Sequence, residues 1–146
     1  MLTRKTKYGL KAMLVLAREH GRGPLLIAEL SERERIPKKF LESILIDLKH
    51  RGLVQSRKGP GGGYELGRAP QRISVGEVIR TLDGPLALVS CVSQTAYRRC
   101  DECVTEEECG VRRVFQAVRD QTARILDGTT LADAARVGSP LAVELP

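Results

Sequence analysis

The sequence has few aromatic residues and few of the residue types that enzymes use for acid–base chemistry. Phe, Trp and Tyr together make up 3% of the 146 residues, Trp is absent, and the two histidines are His20 and His50. Neither histidine adjoins a cysteine, and the chain contains no Ser/His/Asp set, nucleotide-binding fingerprint or HExxH motif. We therefore expect a protein that is not an enzyme.

Long hydrophobic runs are also missing. The first residues place cations before an apolar stretch, as a signal peptide does, but Lys11 and Arg18 interrupt that stretch and no small-residue cleavage site follows. No segment approaches the roughly 20 apolar residues that cross a bilayer. This pattern predicts a cytoplasmic protein without a membrane partner.

Charge is abundant but unevenly distributed. Residues 1–72 contain 16 Lys and Arg against 7 Asp and Glu, a net charge of +9, whereas residues 73–146 contain 8 against 11, a net charge of −3. A basic first half beside an acidic second half indicates that one part of the chain binds a polyanion. A merely solvated surface would leave the two halves closer to balance.

Apolar periodicity predicts three helices in the first half, over residues 3–20, 26–33 and 37–50. The third helix has an apolar face, and its opposite face carries Lys39, Glu42, Ser43, Ile46, Lys49 and His50. Two helices joined by a short turn, the second with an exposed polar face, form the helix-turn-helix pattern of DNA-binding proteins.

A β-hairpin is predicted directly after the third helix, with strands over 53–57 and 63–66. The loop over 58–62 has the sequence KGPGG, whose glycines allow the backbone to approach phosphate oxygens closely. A hairpin in this position is the wing of a winged helix-turn-helix. A plain hairpin that needs glycine only for its turn is the alternative.

The second half contains further helices on both sides of a cysteine-rich segment. Ser74 and Glu77 form an S-x-x-E capping box that begins a fourth helix, and a short last helix begins at Thr130. The longest amphipathic helix covers 110–127, and its apolar stripe consists of Val111, Val114, Phe115, Val118, Thr122, Ile125 and Leu126. A long helix with such a stripe either packs on its own domain or pairs with a copy of itself.

Four cysteines lie within 19 residues, at Cys91, Cys100, Cys103 and Cys109. In a chain without a secretion signal, such clustering indicates metal or redox chemistry rather than a disulfide framework. Structural zinc held by four thiolates, a metal-free thiol switch and unreactive free thiols all remain open from the spacing alone.

Several segments of the chain match one family of regulators. They are KTKYGLKAMLVLA, IPKKFLESILIDLKHRGLVQSRKGPGGGYELGR and ISVGEVIRTLDGP, followed by the cysteines and the long helix. Over about residues 1–133 the chain resembles the Rrf2 (Rrf-two) family of winged-helix transcriptional regulators. The resemblance implies a mainly α fold with a small β-hairpin wing, namely a winged helix-turn-helix plus a long dimerisation helix. It also implies a homodimer that binds a palindromic operator in double-stranded DNA.

The resemblance further implies which residues face DNA, with the third helix in a major groove and the wing along the minor groove. The candidates are Lys38, Lys39, Glu42 and Ser43 in the helix and Arg57, Lys58, Pro60, Gly61, Gly62 and Tyr64 in the wing. A glutamate matching Glu42 restricts base choice in some relatives, because a carboxylate accepts a hydrogen bond from cytosine N4. Tyr64 is equally well explained as a core residue of the hairpin.

Many family members bind an iron–sulfur cluster through three cysteines and a variable fourth ligand. The three correspond to Cys91, Cys103 and Cys109. We favour Cys100 as the fourth ligand, because Arg112 stands where some relatives have a ligating histidine. Four thiolates suit a 2Fe–2S or a 4Fe–4S cluster equally. The hypothesis is a regulator whose DNA affinity responds to the cluster. The alternatives are a zinc-structured or thiol-switch regulator of the same fold, a redox enzyme, and an adaptor that has lost DNA binding.

These features divide the chain into four parts. A DNA-binding head covers 1–84, a cysteine-rich cluster-binding loop covers 85–110, and the dimerisation helix with the short last helix covers 111–136. The remaining residues, 137–146, are expected to form a disordered tail.

Overall fold

A computed structural model of the chain describes residues 2–136, 138 and 141. Most of the tail predicted over 137–146 therefore lies outside the described residues. In chain order the elements are α1 (Arg4–Arg18), α2 (Ile27–Glu34), α3 (Lys38–His50), β1 (Val54–Arg57), β2 (Gly63–Leu66), α4 (Val75–Asp83), α5 (Gly110–Gly128) and α6 (Leu131–Ala135), with 3-10 turns at Pro70–Arg72 and Ser90–Val92. The predicted mainly α fold with one hairpin is confirmed. Across the described residues, no helix has both the length and the apolar character needed to cross a membrane.

Helix α3 is anchored by its apolar face. Of the five side chains that the periodicity placed in the core, Phe40 is half-buried and the other four are fully buried, namely Leu41, Ile44, Leu45 and Leu48. At the start of the helix Phe40 packs edge-to-face on Tyr8 of α1, with ring centroids 5.5 Å apart. This packing leaves the opposite face of α3 open to solvent.

The hairpin is tied to the segment that precedes α2. Strands β1 and β2 pair antiparallel, with Val54 opposite Leu66 and Arg57 opposite Gly63. Leu25 and Tyr64 then exchange two backbone hydrogen bonds of 2.8 and 2.7 Å. The wing is therefore held on both sides, by its own ladder and by the chain between α1 and α2.

The start of α4 differs in one respect from the predicted capping box. The Ser74 hydroxyl accepts the backbone N–H of Glu77 at 3.1 Å, as expected. The Glu77 carboxylate does not return to the Ser74 backbone, because it accepts a hydrogen bond of 2.5 Å from Arg68 instead. The prediction that Glu77 reaches back to Ser74 is therefore wrong. Glu77 instead joins α4 to the segment after the wing.

Helix α6 returns to the head. Leu131 is fully buried in the head's core, and its backbone N–H donates to the Ile73 carbonyl at 2.9 Å. A complete capping box joins Thr130 and Asp133, and the hydrogen bonds from the Thr130 N–H and hydroxyl lower the pKa of Asp133. The short last helix, predicted to belong with the long helix in one part of the chain over 111–136, thus packs with the head.

Helix α5 has a different environment from the other long helices, because none of its 19 residues is fully buried. It packs on α4 and on the Ser90–Val92 turn. The three valines of its apolar stripe are open, with Val111 and Val114 exposed by 62% and 60% and Val118 by 40%. The other members of the stripe are half-buried, namely Phe115, Thr122, Ile125 and Leu126.

Candidate DNA interface and cysteine cleft

The recognition face lies on α3. All four residues predicted to face DNA from this helix are exposed, namely Lys38, Lys39, Glu42 and Ser43. Ile46 is 49% exposed on the same face. Since the buried face fixes the helix in the head, these side chains form one outward surface on a rigid support.

Two polar contacts that were not predicted from the sequence hold this helix in place. Lys5 of α1 pairs with Asp47 at 2.5 Å, and Lys49 donates to the Ser56 hydroxyl of β1 at 2.7 Å. The first contact joins residues 42 positions apart, so no local pattern could have shown it. Together they fix α3 relative to α1 and to the wing.

The tip of the wing is built by glycines in the left-handed region. Gly59 and Gly61 have φ of +86° and +74°, and the Gly62 N–H donates to the Gly59 carbonyl at 2.9 Å. Lys58, Pro60 and Gly61 are exposed at the tip, whereas Gly62 is buried. The Gly62 amide is therefore engaged within the turn and is not free for a phosphate.

The remaining two wing candidates have partners within the protein. The Arg57 guanidinium, 63% exposed, forms an ion pair with the Glu65 carboxylate at 2.8 Å, and the Gln55 amide donates a hydrogen bond to the same oxygen at 2.7 Å. Tyr64 is half-buried and packs against the head's core. By contrast, the ion pairs among the described residues leave Lys38, Lys39 and Lys58 without an acidic partner.

The four cysteines line one open cleft of about 540 Å³ beside the start of α5. Cys91 lies in the Ser90–Val92 turn, and Cys109 is the N-cap of α5, where its Sγ accepts the backbone N–H of Arg112 at 3.4 Å. Cys100 is exposed and the other three are half-buried, and all four are free thiols. The structure thus brings together the four residues that the sequence analysis singled out.

The cleft suits a thiolate-bound group but does not have one preassembled. Among the described residues, no three Cys, His, Asp or Glu side chains are close enough together to hold a single metal ion. Four thiols around one cavity are nevertheless the soft donor set that iron–sulfur clusters and zinc require. Metal binding here would have to draw the side chains towards one another.

Cationic side chains lie beside these thiols. Arg112 lines the cleft itself, and Arg98 and Arg99 line an adjoining cavity that shares Cys91, Cys100 and Cys109 with it. Guanidinium groups around a cavity favour anionic contents.

Helix α5 is joined to the head at its far end. Asp127, in the last turn of α5, accepts hydrogen bonds from Arg80 of α4 at 2.6 and 2.8 Å. The hydrogen bond to Asp127 raises the pKa of the Arg80 guanidinium. One helix therefore links the cysteine cleft at its beginning to the DNA-binding head at its end.

Comparison with known proteins indicates a transcriptional regulator. The Rrf2 family model, described as an iron-dependent transcriptional regulator, matches residues 2–136. A helix-turn-helix transcriptional regulator of Rhodobacter capsulatus, described as rrf2-like, is 43% identical over 97% of each chain. The regulator IscR of Escherichia coli O1:K1 / APEC is 34% identical over 90% of this chain and 78% of its own.

A solved structure supports the fold. The structure of CymR, titled the global cysteine regulator of B. subtilis, has a TM-score of 0.77 and 32% identity over 92% of this chain and 95% of its own. These relatives are named as regulators, so the expectation of a non-enzyme is confirmed, as are the winged-helix fold and the family resemblance. The chain belongs to the Rrf2 family of DNA-binding winged-helix transcriptional regulators.

Proposed function

We propose that the chain acts in the cytoplasm as a homodimer whose affinity for a palindromic operator responds to an iron–sulfur cluster held by Cys91, Cys100, Cys103 and Cys109. The observation that carries this proposal is that all four thiols line a single cleft against the first turn of α5. The description of the matching family model as iron-dependent supports it. A bound cluster supplies a centre that changes with iron supply and with oxidation.

DNA contact is assigned to the surface formed by α3 and the wing. The helix faces the bases and backbone of a major groove through Lys38, Lys39, Glu42 and Ser43. The wing follows the adjoining phosphates or minor groove through Arg57, Lys58, Pro60 and Gly61. Gly62 and Tyr64 then contribute through the shape of the wing. The exposed, unpaired lysines support this assignment.

Dimerisation is assigned to the apolar stripe of α5. Val111, Val114 and Val118 form an exposed apolar patch along α5, which is the usual mark of a protein–protein interface. A two-fold pairing of this stripe with its copy would bury the patch on both chains. Both recognition helices can then dock at half-sites about 34 Å apart.

The two ends of α5 give a physical route from the cleft to the DNA. Cys109 caps the first turn, so any ligand that moves its sulfur acts on the start of the helix. Arg80 and Asp127 hold the last turn on α4, so a shift of the helix changes where the head lies relative to the partner. A ligand changes DNA affinity only through its different affinities for the two arrangements.

The test is metal analysis of protein purified without oxygen. We expect iron with acid-labile sulfide, and loss of both in each of the variants Cys91→Ala, Cys103→Ala and Cys109→Ala. The control is Val104→Ala, which changes an 89% exposed side chain of the same cleft and leaves the thiols intact. Stoichiometric zinc without sulfide would contradict the proposal in favour of a structural zinc site. Retention of an unaltered cluster in Cys100→Ala would remove Cys100 as the fourth ligand.

A thiol switch is the second candidate. Cys100 is exposed, and the backbone N–H of Cys103 donates to the Cys100 carbonyl at 3.2 Å, which holds the two residues in one turn. The related CymR is titled a cysteine regulator. Metal-free protein that forms a Cys100–Cys103 disulfide under mild oxidation, detected by mass spectrometry, and changes its DNA affinity would favour this candidate.

A further inference from the structure

Arg112 has a buried donor without an acceptor. Its Nε is buried and has no hydrogen-bond partner, and its Nη1 reaches the Gln116 amide oxygen only at 3.5 Å. A guanidinium is always protonated and can only donate hydrogen bonds. Because a buried donor of this kind is costly, an acceptor belongs beside it.

The place where that acceptor belongs is the cysteine cleft. Arg112 lines the cleft together with all four cysteines. Two carboxylates near Arg112 already have partners, since Asp101 pairs with Arg98 at 3.6 Å and Glu108 accepts a hydrogen bond from Thr105 at 3.2 Å. The third, Glu102, is exposed to water. The four cysteine sulfurs line the cleft as well, and thiolate sulfur accepts hydrogen bonds.

We infer that Arg112 is a positioning residue for a negatively charged, sulfur-ligated group in this cleft. Its guanidinium donates hydrogen bonds to thiolate or sulfide sulfur and offsets the charge that four thiolates bring together. This inference rests on the proposed function. It gives Arg112 a role that differs from ligation, which its permanent positive charge prevents.

The Arg112 guanidinium also affects the reduction potential of the bound group. Reduction adds negative charge to such a group, so a nearby cation and N–H bonds to its sulfurs stabilise the reduced state and raise the reduction potential. Removing the guanidinium should therefore make the midpoint potential more negative. A residue that merely supports the fold of α5 would not move the potential in this direction.

The experiment compares Arg112→Gln, Arg112→Lys and the matched control Arg113→Gln. Arg113 is the next residue on α5, carries the same charge, is exposed and does not line the cleft. Anaerobic wild-type and variant proteins are titrated with dithionite, and iron and sulfide contents are measured alongside. We expect a more negative midpoint potential in R112Q, a smaller shift in R112K and an unchanged value in R113Q. A lower iron and sulfide content in R112Q than in equally folded R113Q would also support the inference.

The possible failures are distinguishable. If wild-type protein contains no iron and sulfide, the proposed function fails and the role of Arg112 fails with it. If the cluster is present and R112Q titrates like wild type, only the role of Arg112 is overturned. Equal shifts in R112Q and R113Q would overturn it as well, because they would show a general effect of charge on α5.

Discussion

The α-carbon of Gly63 lies directly against the carbonyl of Leu25. A Cβ at Gly63 would lie 2.3 Å from the Leu25 oxygen, and the φ of Gly63 is +141°, a conformation that side chains disfavour. The next residue, Tyr64, makes both backbone hydrogen bonds that join the wing to Leu25. Glycine is therefore required at the point where the wing meets the head.

Gly63→Ala should lower the free energy of unfolding by about 2–3 kcal/mol, because the methyl group meets backbone atoms that cannot rotate away. The control is Gly61→Ala at the wing tip, where φ is also positive but no atom lies within 4 Å. That change should cost only about 1 kcal/mol. Chemical denaturation measures both, and equal losses would contradict the close approach.

The local elements of the head could be predicted because their signals are local. The face of α3 that contains Leu41 and Leu48 follows from a 3.6-residue period, and the hairpin follows from glycines between two short strands. The nearness of the cysteines in sequence likewise predicted that they share one site. In each case the residues that decide the structure are neighbours along the chain.

The contacts that could not be predicted join residues far apart in sequence. Glu77 bonds to Arg68 rather than completing its own capping box, and α6 returns to the head through the buried Leu131. Nor does any sequence pattern show that the Nε of Arg112 is buried beside the cysteines. These features depend on how the helices pack, so periodicity and spacing contain no signal for them.

Asp127→Asn should loosen the connection between α5 and the head. The Arg80–Asp127 pair is partly exposed, so its loss should lower the free energy of unfolding by at most about 1 kcal/mol. The main expected effect is on DNA binding. The cluster-loaded and cluster-free forms of D127N should differ less in DNA affinity than the two forms of the wild-type protein do. The control Asp120→Asn removes an acid whose ion pair among the described residues is with its neighbour Arg119 on α5. Binding isotherms for both forms provide the measurement, and an undiminished difference in D127N would argue against coupling through this pair.

Replacing Val114 and Val118 with Glu should abolish the homodimer. Paired stripes would bring like charges together across the two-fold axis, at a cost of about 3–5 kcal/mol for a buried charge without a partner. Arg124→Glu is the control, since Arg124 is exposed on another face of α5. Sedimentation velocity reports the outcome. A wild-type monomer at micromolar concentration would exclude this interface altogether.

Lys58 and Glu42 should affect DNA binding in different ways, because one lies on the wing and the other on the recognition face. Lys58 is exposed and has no acidic partner among the described residues, whereas Arg57 beside it already pairs with Glu65. A free cation at a wing tip meets phosphates, which carry no sequence information. Lys58→Ala should therefore weaken binding to all sequences alike and reduce the salt slope by about 0.9, the value of one phosphate contact.

Glu42 is exposed one helical turn after the start of α3, where side chains reach base edges. A carboxylate there accepts a hydrogen bond from cytosine and makes no phosphate contact, so it contributes to base choice and not to the phosphate contacts that set the salt slope. Glu42→Ala should relax the preference at one position of each half-site, by about 1–3 kcal/mol, and leave the salt slope nearly unchanged. Salt titrations on a selected operator and on scrambled DNA measure both variants, and each variant is the control for the other. If Glu42→Ala leaves the selected sequence untouched, the proposed recognition face is contradicted even where DNA binding survives.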